Sequence, residues 1–520
     1  MLALSAVCSW AQTVSPGEVE QWKRQLQEAT ESFEKSLEEH RRVIEKLQQQ
    51  VESLERKTGS PTLAEPSDQA PAVIAGEIPP PSTPAGKDAV PSGISAQAWN
   101  PRDRMTLLEK GSSYLDLSFD GLFAAGGSTA HDIEESLQLG AHDPNQRGFT
   151  LQNLEATFSG SVDPYFTGQA NIIFQIDAEG ESGLEVEEAF MQSTSLPWNL
   201  QLKAGQYFTE FGRHNPQHPH TWNFVDVPLV NGRFLGADGM RNPGARLSWL
   251  APTPFYSELF FSVQNSQGET AASFRGGIET ESERAPYGFR ETDNDRGVRA
   301  LEDMLYGPRY VLSFDPTDEQ VVLLGGSALF GPNASGGEDA GSTDTQVYGL
   351  DLTWKWKPVN HSGGFPFLTW QTEAMLRQYD AGAFDWDLNG DGVADSDEIV
   401  DPATGLPAVV AGERLTDHGF YTQLVYGFRR GWVAGVRFDY VTGDDARYEG
   451  RGFTRDGERL GRDQARSTRW RLSPNLTWYP TEYSKVRLQY NYDDRNGLGE
   501  DHSVWLQFEF VLGAHAAHTF

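Results

Sequence analysis

From about residue 112 onward, apolar and polar residues alternate with a period of two. In "SVWLQFEFVLG", Val504, Leu506, Phe508, Phe510 and Leu512 share one face, and Trp505, Gln507 and Glu509 share the other. In "KVRLQYNYD", Val486, Leu488, Tyr490 and Tyr492 oppose Arg487, Gln489 and Asn491. The same division holds for Trp470, Leu472, Leu476 and Trp478 against Arg471, Ser473, Asn475 and Thr477. It holds again for Trp432, Ala434, Val436, Phe438 and Tyr440 against Arg437 and Asp439. Successive side chains of a strand point to opposite faces, so each segment predicts a strand with one apolar face. The segments run to about ten residues, with aromatics toward their ends, as transmembrane β-strands do. Strands of a soluble sandwich are usually shorter, at about five or six residues.

About sixteen such strands are predicted, starting near 112, 148, 164, 183, 198, 242, 255, 309, 320, 345, 366, 416, 432, 467, 484 and 503. Short turns such as "VDP", "LPW", "APTP", "DPTD", "RRG" and "YPTE" follow the even strands, and "PVNHSGGFP" is somewhat longer. Mostly long, polar, Gly- and Asp-rich loops follow the odd ones. Short turns at one rim and long loops at the other is the outer-membrane layout. The fold class expected is therefore an all-β transmembrane barrel of about sixteen antiparallel strands over 111–520, preceded by an α-helical coiled coil.

The period differs before the barrel. Over 15–58, Trp22, Leu26, Ala29, Phe33, Leu37, His40, Ile44, Leu47, Val51 and Leu54 recur at steps of three and four, with a stutter between Phe33 and Leu37. This narrow seam predicts a self-associating coiled coil; an amphipathic helix packed on a domain is the plain alternative. Residues 59–110, with "EIPPPSTPAG", read as an extended linker. Residues 1–11 read as the remnant of a secretory signal, with Ser9-Trp10-Ala11 before the cleavage point. Localisation is then the bacterial outer membrane, with the N-terminal region in the periplasm.

Composition narrows the partners. Of the 520 residues, 74 are Asp or Glu and 42 are Lys or Arg, so the formal charge is −32. Such a charge argues against nucleic acid as a partner. Apolar residues reach only 38% while aromatics reach 12%, which suits a barrel with a wet interior and lipid outside. The one cysteine, Cys8, leaves no disulfide framework or thiol chemistry. No nucleophile elbow, phosphate loop or zinc-protease motif is present, so an enzyme is not expected.

One stretch carries a specific metal pattern. "DLNGDGVADSDE" places Asp387, Asn389, Asp391, Asp395 and Glu398 at positions 1, 3, 5, 9 and 12 of a calcium loop, with Gly392 at position 6 and the Val393 carbonyl at position 7. A solvated acidic turn is the plain alternative. The flanks are strands, so the loop is expected to bind structural calcium and stiffen the sixth external loop.

The strand layout, the coiled coil, the terminal Phe520 and stretches such as "LKAGQYFTEFGRHNPQHPHTW" resemble an outer-membrane porin of the phosphate-selective porin O/P-like group. They are also similar to uncharacterised Gram-negative porin-like proteins, some labelled zinc-regulated outer-membrane receptors. The resemblance implies a trimer and a third loop folded into the barrel to narrow the pore. That loop, Gly212 to Arg241, holds His214, His218 and His220, with Asp226 and Asp238 nearby. Imidazole beside carboxylate suits zinc or copper, zinc being the cofactor expected if the loop binds metal; plain loop-shaping hydrogen bonds are the alternative.

Strand parity points Lys203, Arg246, Lys355, Arg377, Arg437, Arg471 and Arg487 inward, along with Asp116, Asp120, Glu155, Asp351, Glu373, Asp439 and Glu509. Of these, Lys203, Arg246, Arg377, Arg437, Arg471, Arg487, Asp439 and Glu509 are the expected pore lining. The row at 437, 471 and 487 is similar to the basic lining of phosphate-selective members. A one-residue slip in register would reverse each assignment.

The function expected is passive diffusion of small, charged solutes through a loop-constricted polar pore. The alternatives are a zinc-linked uptake channel and a closed barrel serving as a tether or adhesin. The lack of room for a plug domain argues against energised uptake. Expected partners are outer-membrane lipid, two further copies of the chain, peptidoglycan through the coiled coil, and small solutes.

Overall fold

The computed structural model describes residues 104–513, apart from 135–136, 177–179, 181, 277–286, 292–296, 337–342 and 462. The expected signal remnant and coiled coil, most of the expected linker, and Phe520 lie outside the described residues. Sixteen long strands follow in order. They are β1 Ser113–Ser128, β2 Gly148–Asp163, β3 Phe166–Ile176, β4 Ser182–Ser193, β5 Leu200–Phe208, β6 Arg241–Leu250, β7 Tyr256–Asn265 and β8 Met304–Thr317. The second half comprises β9 Gln320–Pro332, β10 Asp344–Trp356, β11 Phe367–Ala381, β12 Glu413–Arg429, β13 Trp432–Gly443, β14 Arg469–Thr481, β15 Ser484–Arg495 and β16 Gly499–Leu512.

Each strand pairs antiparallel with the next, and β1 pairs with β16 from Phe119↔Leu512 to Ser128↔Ser503. The sheet is closed, which satisfies each strand's backbone groups and leaves no edge. The linker expected to reach residue 110 ends earlier. Met105–Lys110 forms a further short strand on β1, from Met105↔Leu117 to Lys110↔Ser113, below the stretch that β16 covers. Two adjacent leucines and a bulge between Thr106 and Leu108 break its alternation, which hid it in the sequence.

Alternation sets the two faces of the wall. Leu472, Leu476, Leu488, Val504 and Phe508 are exposed on the outside, while Arg437, Arg471, Arg487 and Gln489 of neighbouring strands are buried inside. Aromatics collect beside the short turns: Phe255, Tyr426, Phe428 and Trp478 are exposed at the outer surface, and Trp432 stacks on Trp478 with centroids 6.0 Å apart. A ring of amphipathic aromatics at this level matches a membrane interface.

The long loops lie at the opposite rim. L1 (129–147) and L3 (209–240) enter the interior; L4 (266–303), L6 (382–412) and L7 (444–468) build a cap. The cap has its own apolar core of Phe289, Trp386, Ile399, Ala408, Val410, Tyr448, Phe453 and Leu460. Trp386 Nε1 donates to the Phe289 carbonyl at 3.0 Å, so L6 is pinned to L4. Within L3, Leu229–Leu235 forms helix α1. Six of its seven residues are buried, Arg233 being the exception. Val230 and Phe234 pack with Phe274, Met375, Tyr421 and Val441 inside the barrel. Gly232 is needed there, since a Cβ would lie 2.7 Å from the Cβ of Leu139 in L1.

Candidate functional site

L3 is held to the inner wall by its backbone. Gly212, at φ 60°, lets the chain turn inward, and its N–H donates to Ser327 Oγ at 3.1 Å. The His214 N–H donates to Glu373 Oε1 at 2.7 Å. Further along, Lys485 donates to the His220 carbonyl at 2.6 Å and Arg487 to the Trp222 carbonyl at 2.8 Å. Asn475 donates to the Asn223 carbonyl at 2.8 Å, and the Leu229 N–H donates to Asp439 Oδ1 at 3.2 Å.

Asp226 is the centre of this attachment. Its carboxylate accepts from Arg437 at 2.6 Å, Arg471 at 2.9 Å, Gln489 at 3.0 Å and Asn491 at 2.6 Å. Arg437 also pairs with Asp439 at 2.8 Å, and Arg471 with Asp493 at 2.9 Å. Arg377 pairs with Asp417 at 2.7 Å and donates to the Arg233 carbonyl at 3.2 Å. Each of these charges is buried, and each has an opposite charge, as burial in a low-dielectric interior requires.

The expected pore lining therefore divides into two groups. Arg377, Arg437, Arg471, Arg487 and Asp439 are on the inner wall but covered by L3, and their charges are spent on fixing it. Glu509 is paired with Lys485. No open arginine row faces water at 437, 471 and 487. Lys203 and Arg246 do line an open cavity of about 720 Å³ on the other side of the lumen, with Asp116, Glu188, Glu210, Arg213, Glu258 and Arg309. Within it, Arg246 is bonded to Glu210 and Arg309 forms a fork to Asp351 at 2.6 and 3.1 Å. Lys203 has its ammonium 4.1 Å from the Phe190 ring centre. The open lining thus mixes both signs.

The three loop histidines separate. His214 packs against Trp222, with ring centroids 4.8 Å apart, and burial with the nearby Arg437 charge pushes its pKa down to about 3. His218 and His220 instead face the carboxylates of β2 and β4. His218 Nδ1 lies 2.6 Å from Glu187 Oε2 and 3.6 Å from Glu155 Oε2, and its Nε2 lies 3.0 Å from Glu188. His220 Nδ1 lies 3.3 Å from Glu155. Burial opposes the charged form of His218, but Glu187 and Glu155 outweigh it and hold its pKa well above the usual imidazole value.

The sequence reading pointed Glu155 inward but passed over Glu187 and Glu188. A bulge explains this: Asn171 pairs with Glu188 and Ile172 with Val186, so Glu187 is the extra residue. Both neighbouring carboxylates then turn inward, against strict alternation. The signal available was "EVEEAF", where two adjacent acids interrupt the pattern.

In L6 the Asp387 carboxylate accepts the Gly392 N–H at 3.0 Å, and Asp391 accepts the Val393 N–H at 2.7 Å. Gly392 has φ 71°, which allows the sharp turn. Asn389 donates to Asp395 at 2.8 Å, and the two Glu398 oxygens accept the N–H groups of Leu388 at 2.8 Å and Asp395 at 3.0 Å. The loop is folded on itself. Among the described residues, the donor set gathered within 4.8 Å is Glu155, Glu187 and His218, not the L6 acids.

No family model matches the chain. A protein of Aquifex aeolicus, described as uncharacterized, is 30% identical over 433 residues, spanning 79% of this chain and 76% of that one. The chain belongs to the family of that protein. Solved structures with a similar barrel include the outer membrane channel DcaP of Acinetobacter baumannii, 11% identical over 78% of this chain and 99% of that one, at TM-score 0.48. The trimer form of OmpT from Vibrio cholerae is 8% identical over 77% of this chain and all of that one, at 0.42. An anion-selective porin from Comamonas acidovorans is 6% identical over 77% of this chain and all of that one, at 0.43. The barrel assignment stands on the strand pairing itself.

Proposed function

We propose that this protein is a bacterial outer-membrane porin, passing small polar and charged solutes by diffusion. The observation that carries the reading is the polar cavity left open beside L3 in a closed barrel whose outer face is apolar. The short turns would face the periplasm and the L4–L6–L7 cap the exterior. Since Arg437 and Arg471 are buried and ion-paired, and Arg487 is buried and hydrogen-bonded to Thr477, Gln507 and the Trp222 carbonyl, the mixed lining around Lys203 and Glu258 supports weak ionic selectivity, not a phosphate-specific path.

A shallow apolar hollow on the outer wall, between Leu259, Tyr310, Tyr348, Leu350 and Leu376, supports packing of copies into the expected trimer. Cross-linking in native membranes checks that assembly. The Asp387–Glu398 loop is proposed as a calcium element of the cap. Its supports are the positional match, the Gly392 turn and the buried Glu398.

Swelling of liposomes loaded with the protein, using neutral solutes of graded size, tests the channel reading. Entry of small sugars with a sharp size cut-off is expected. Liposomes that stay closed to all solutes, with the barrel correctly folded, would leave the tether reading in its place.

A further inference from the structure

The lumen holds a group of side chains that neither the barrel wall nor the constriction accounts for. Glu187 is fully buried, yet neither of its carboxylate oxygens accepts a hydrogen bond among the described residues. Its Oε2 is 2.6 Å from His218 Nδ1, in an alignment outside hydrogen-bond geometry. Its Oε1 is 3.8 Å from His142 Nε2.

His142, from L1, is buried as well. Its Nδ1 meets the Gln152 carbonyl at 3.0 Å. A carbonyl only accepts, so Nδ1 carries the proton and the neutral ring presents a bare Nε2. That atom has no hydrogen-bond partner among the described residues. A nitrogen lone pair and a carboxylate oxygen thus face each other across 3.8 Å. A cation placed there converts the opposition into attraction.

Glu155 is prearranged beside them. One oxygen accepts from Thr157 Oγ1 at 2.8 Å and from Asn171, and the other accepts weakly from Asn153 at 3.3 Å while facing the histidines. Such orienting bonds are what a metal-bound carboxylate usually has behind it. The charge balance points the same way. Asp120, Glu155, Glu187 and Glu188 crowd around His218 and His220, and the two oxygens of buried Asp120 accept no hydrogen bond among the described residues. With Lys203 beside Glu188, and Lys485 and its partner Glu509 beside Asp120, five carboxylates face at most four cationic groups, which leaves a buried negative excess.

We infer that Glu155, Glu187 and His218 bind one divalent transition-metal ion, which displaces the proton from the ligating His218 nitrogen, with His142 as a further donor, so that the ion fastens L3 and L1 to β2 and β4. Mixed imidazole and carboxylate donors suit zinc, cobalt(II) or manganese(II); calcium prefers oxygen alone. His214 is not among the donors gathered within 4.8 Å, and its ring packs on Trp222. The open cavity reaches His218 and Glu188, which gives an ion a route in.

The test is metal binding by the refolded full-length protein in detergent, stripped with chelator and titrated with cobalt(II), then competed with zinc. One ion per chain is expected, with the ligand-field absorption of nitrogen and oxygen donors. Glu187→Gln and His218→Gln should each weaken binding by more than about a hundredfold, beyond the cost of losing an orienting partner. Asn171→Ala, which only orients Glu155, should weaken it by about tenfold. Glu302→Gln, in L4, should bind as the parent does. Circular dichroism and the electrophoretic mobility of the folded barrel show that each variant is intact. A parent protein that binds no cobalt, or binding that persists in Glu187→Gln, would overturn the assignment. Conduction is not needed for this readout, so a silent barrel leaves it standing.

Discussion

Arg437 on β13 and Asp226 in L3 meet at 2.6 Å with almost no solvent contact. Arg471 reaches the other Asp226 oxygen at 2.9 Å. With Gln489 and Asn491 also donating to it, one loop carboxylate joins three neighbouring wall strands, β13, β14 and β15, and fixes how far L3 projects into the lumen.

Removing that carboxylate leaves two guanidinium groups with less than their full set of partners. Asp226→Ala is expected to destabilise the folded barrel by roughly 3–5 kcal/mol, the range for breaking a buried pair. Loss of the loop attachment should also open L3 to protease. Thermal unfolding in detergent with limited proteolysis checks this; an unchanged melting temperature and intact L3 would show that the clasp carries no weight.

Selectivity should follow the open side of the lumen. Lys203→Glu reverses a charge in the cavity and is expected to move the reversal potential toward cations. Arg471→Gln changes a covered charge and should act on stability instead. Equal shifts from both variants would mean that L3 does not cover the 471 side chain in the membrane.

L1 and L3 share a pH-dependent contact. Asp143 accepts the Val227 N–H at 2.8 Å and the Gly140 N–H at 3.1 Å. Burial pushes its carboxyl up to about 8, with the neighbouring Asp226 charge adding to the effect. Its folded pKa is above the unfolded value, so its contribution is full below about pH 4 and is lost as pH rises through about 8. Asp143→Asn should therefore flatten the fall in melting temperature across that window. A variant with the parent's slope would place the titration elsewhere.

The cap depends on Trp386 and on the L6 acids. Trp386→Ala empties the centre of its core and should cost the cap about 3–5 kcal/mol locally, seen as faster cleavage in L6 and L7 with the barrel intact. Calcium at roughly 0.1–1 mM should slow that cleavage in the parent. Binding requires Glu398 to release the N–H groups of Leu388 and Asp395 that it now accepts. Asp391→Asn should lose the protection. Cleavage rates indifferent to calcium and chelator would remove calcium from the account.

Much of the wall was legible because two-residue periodicity is a direct consequence of strand geometry. Leu488, Val504 and Phe508 face out, and Arg471 and Arg487 face in, as their parity predicts. Parity does not report what else occupies the interior, so the same arginines read as a pore lining although L3 covers them. It also fails at bulges. Glu187 and Glu188 turn inward together, so the carboxylates that meet His218 were only partly visible. His214 resembled its two neighbours in spacing alone; Trp222, eight positions on, draws it away. The L6 motif was legible as a pattern, but whether its oxygens close on an ion depends on side-chain swings that spacing does not encode.

Current through the full-length protein in a planar bilayer under a salt gradient shows directly whether the barrel conducts. Steady open-channel steps are expected, grouped in threes if the trimer forms, with a small reversal potential reflecting the mixed lining. A folded barrel that carries no current, or one selective enough to pass essentially a single sign of ion, would contradict the porin reading.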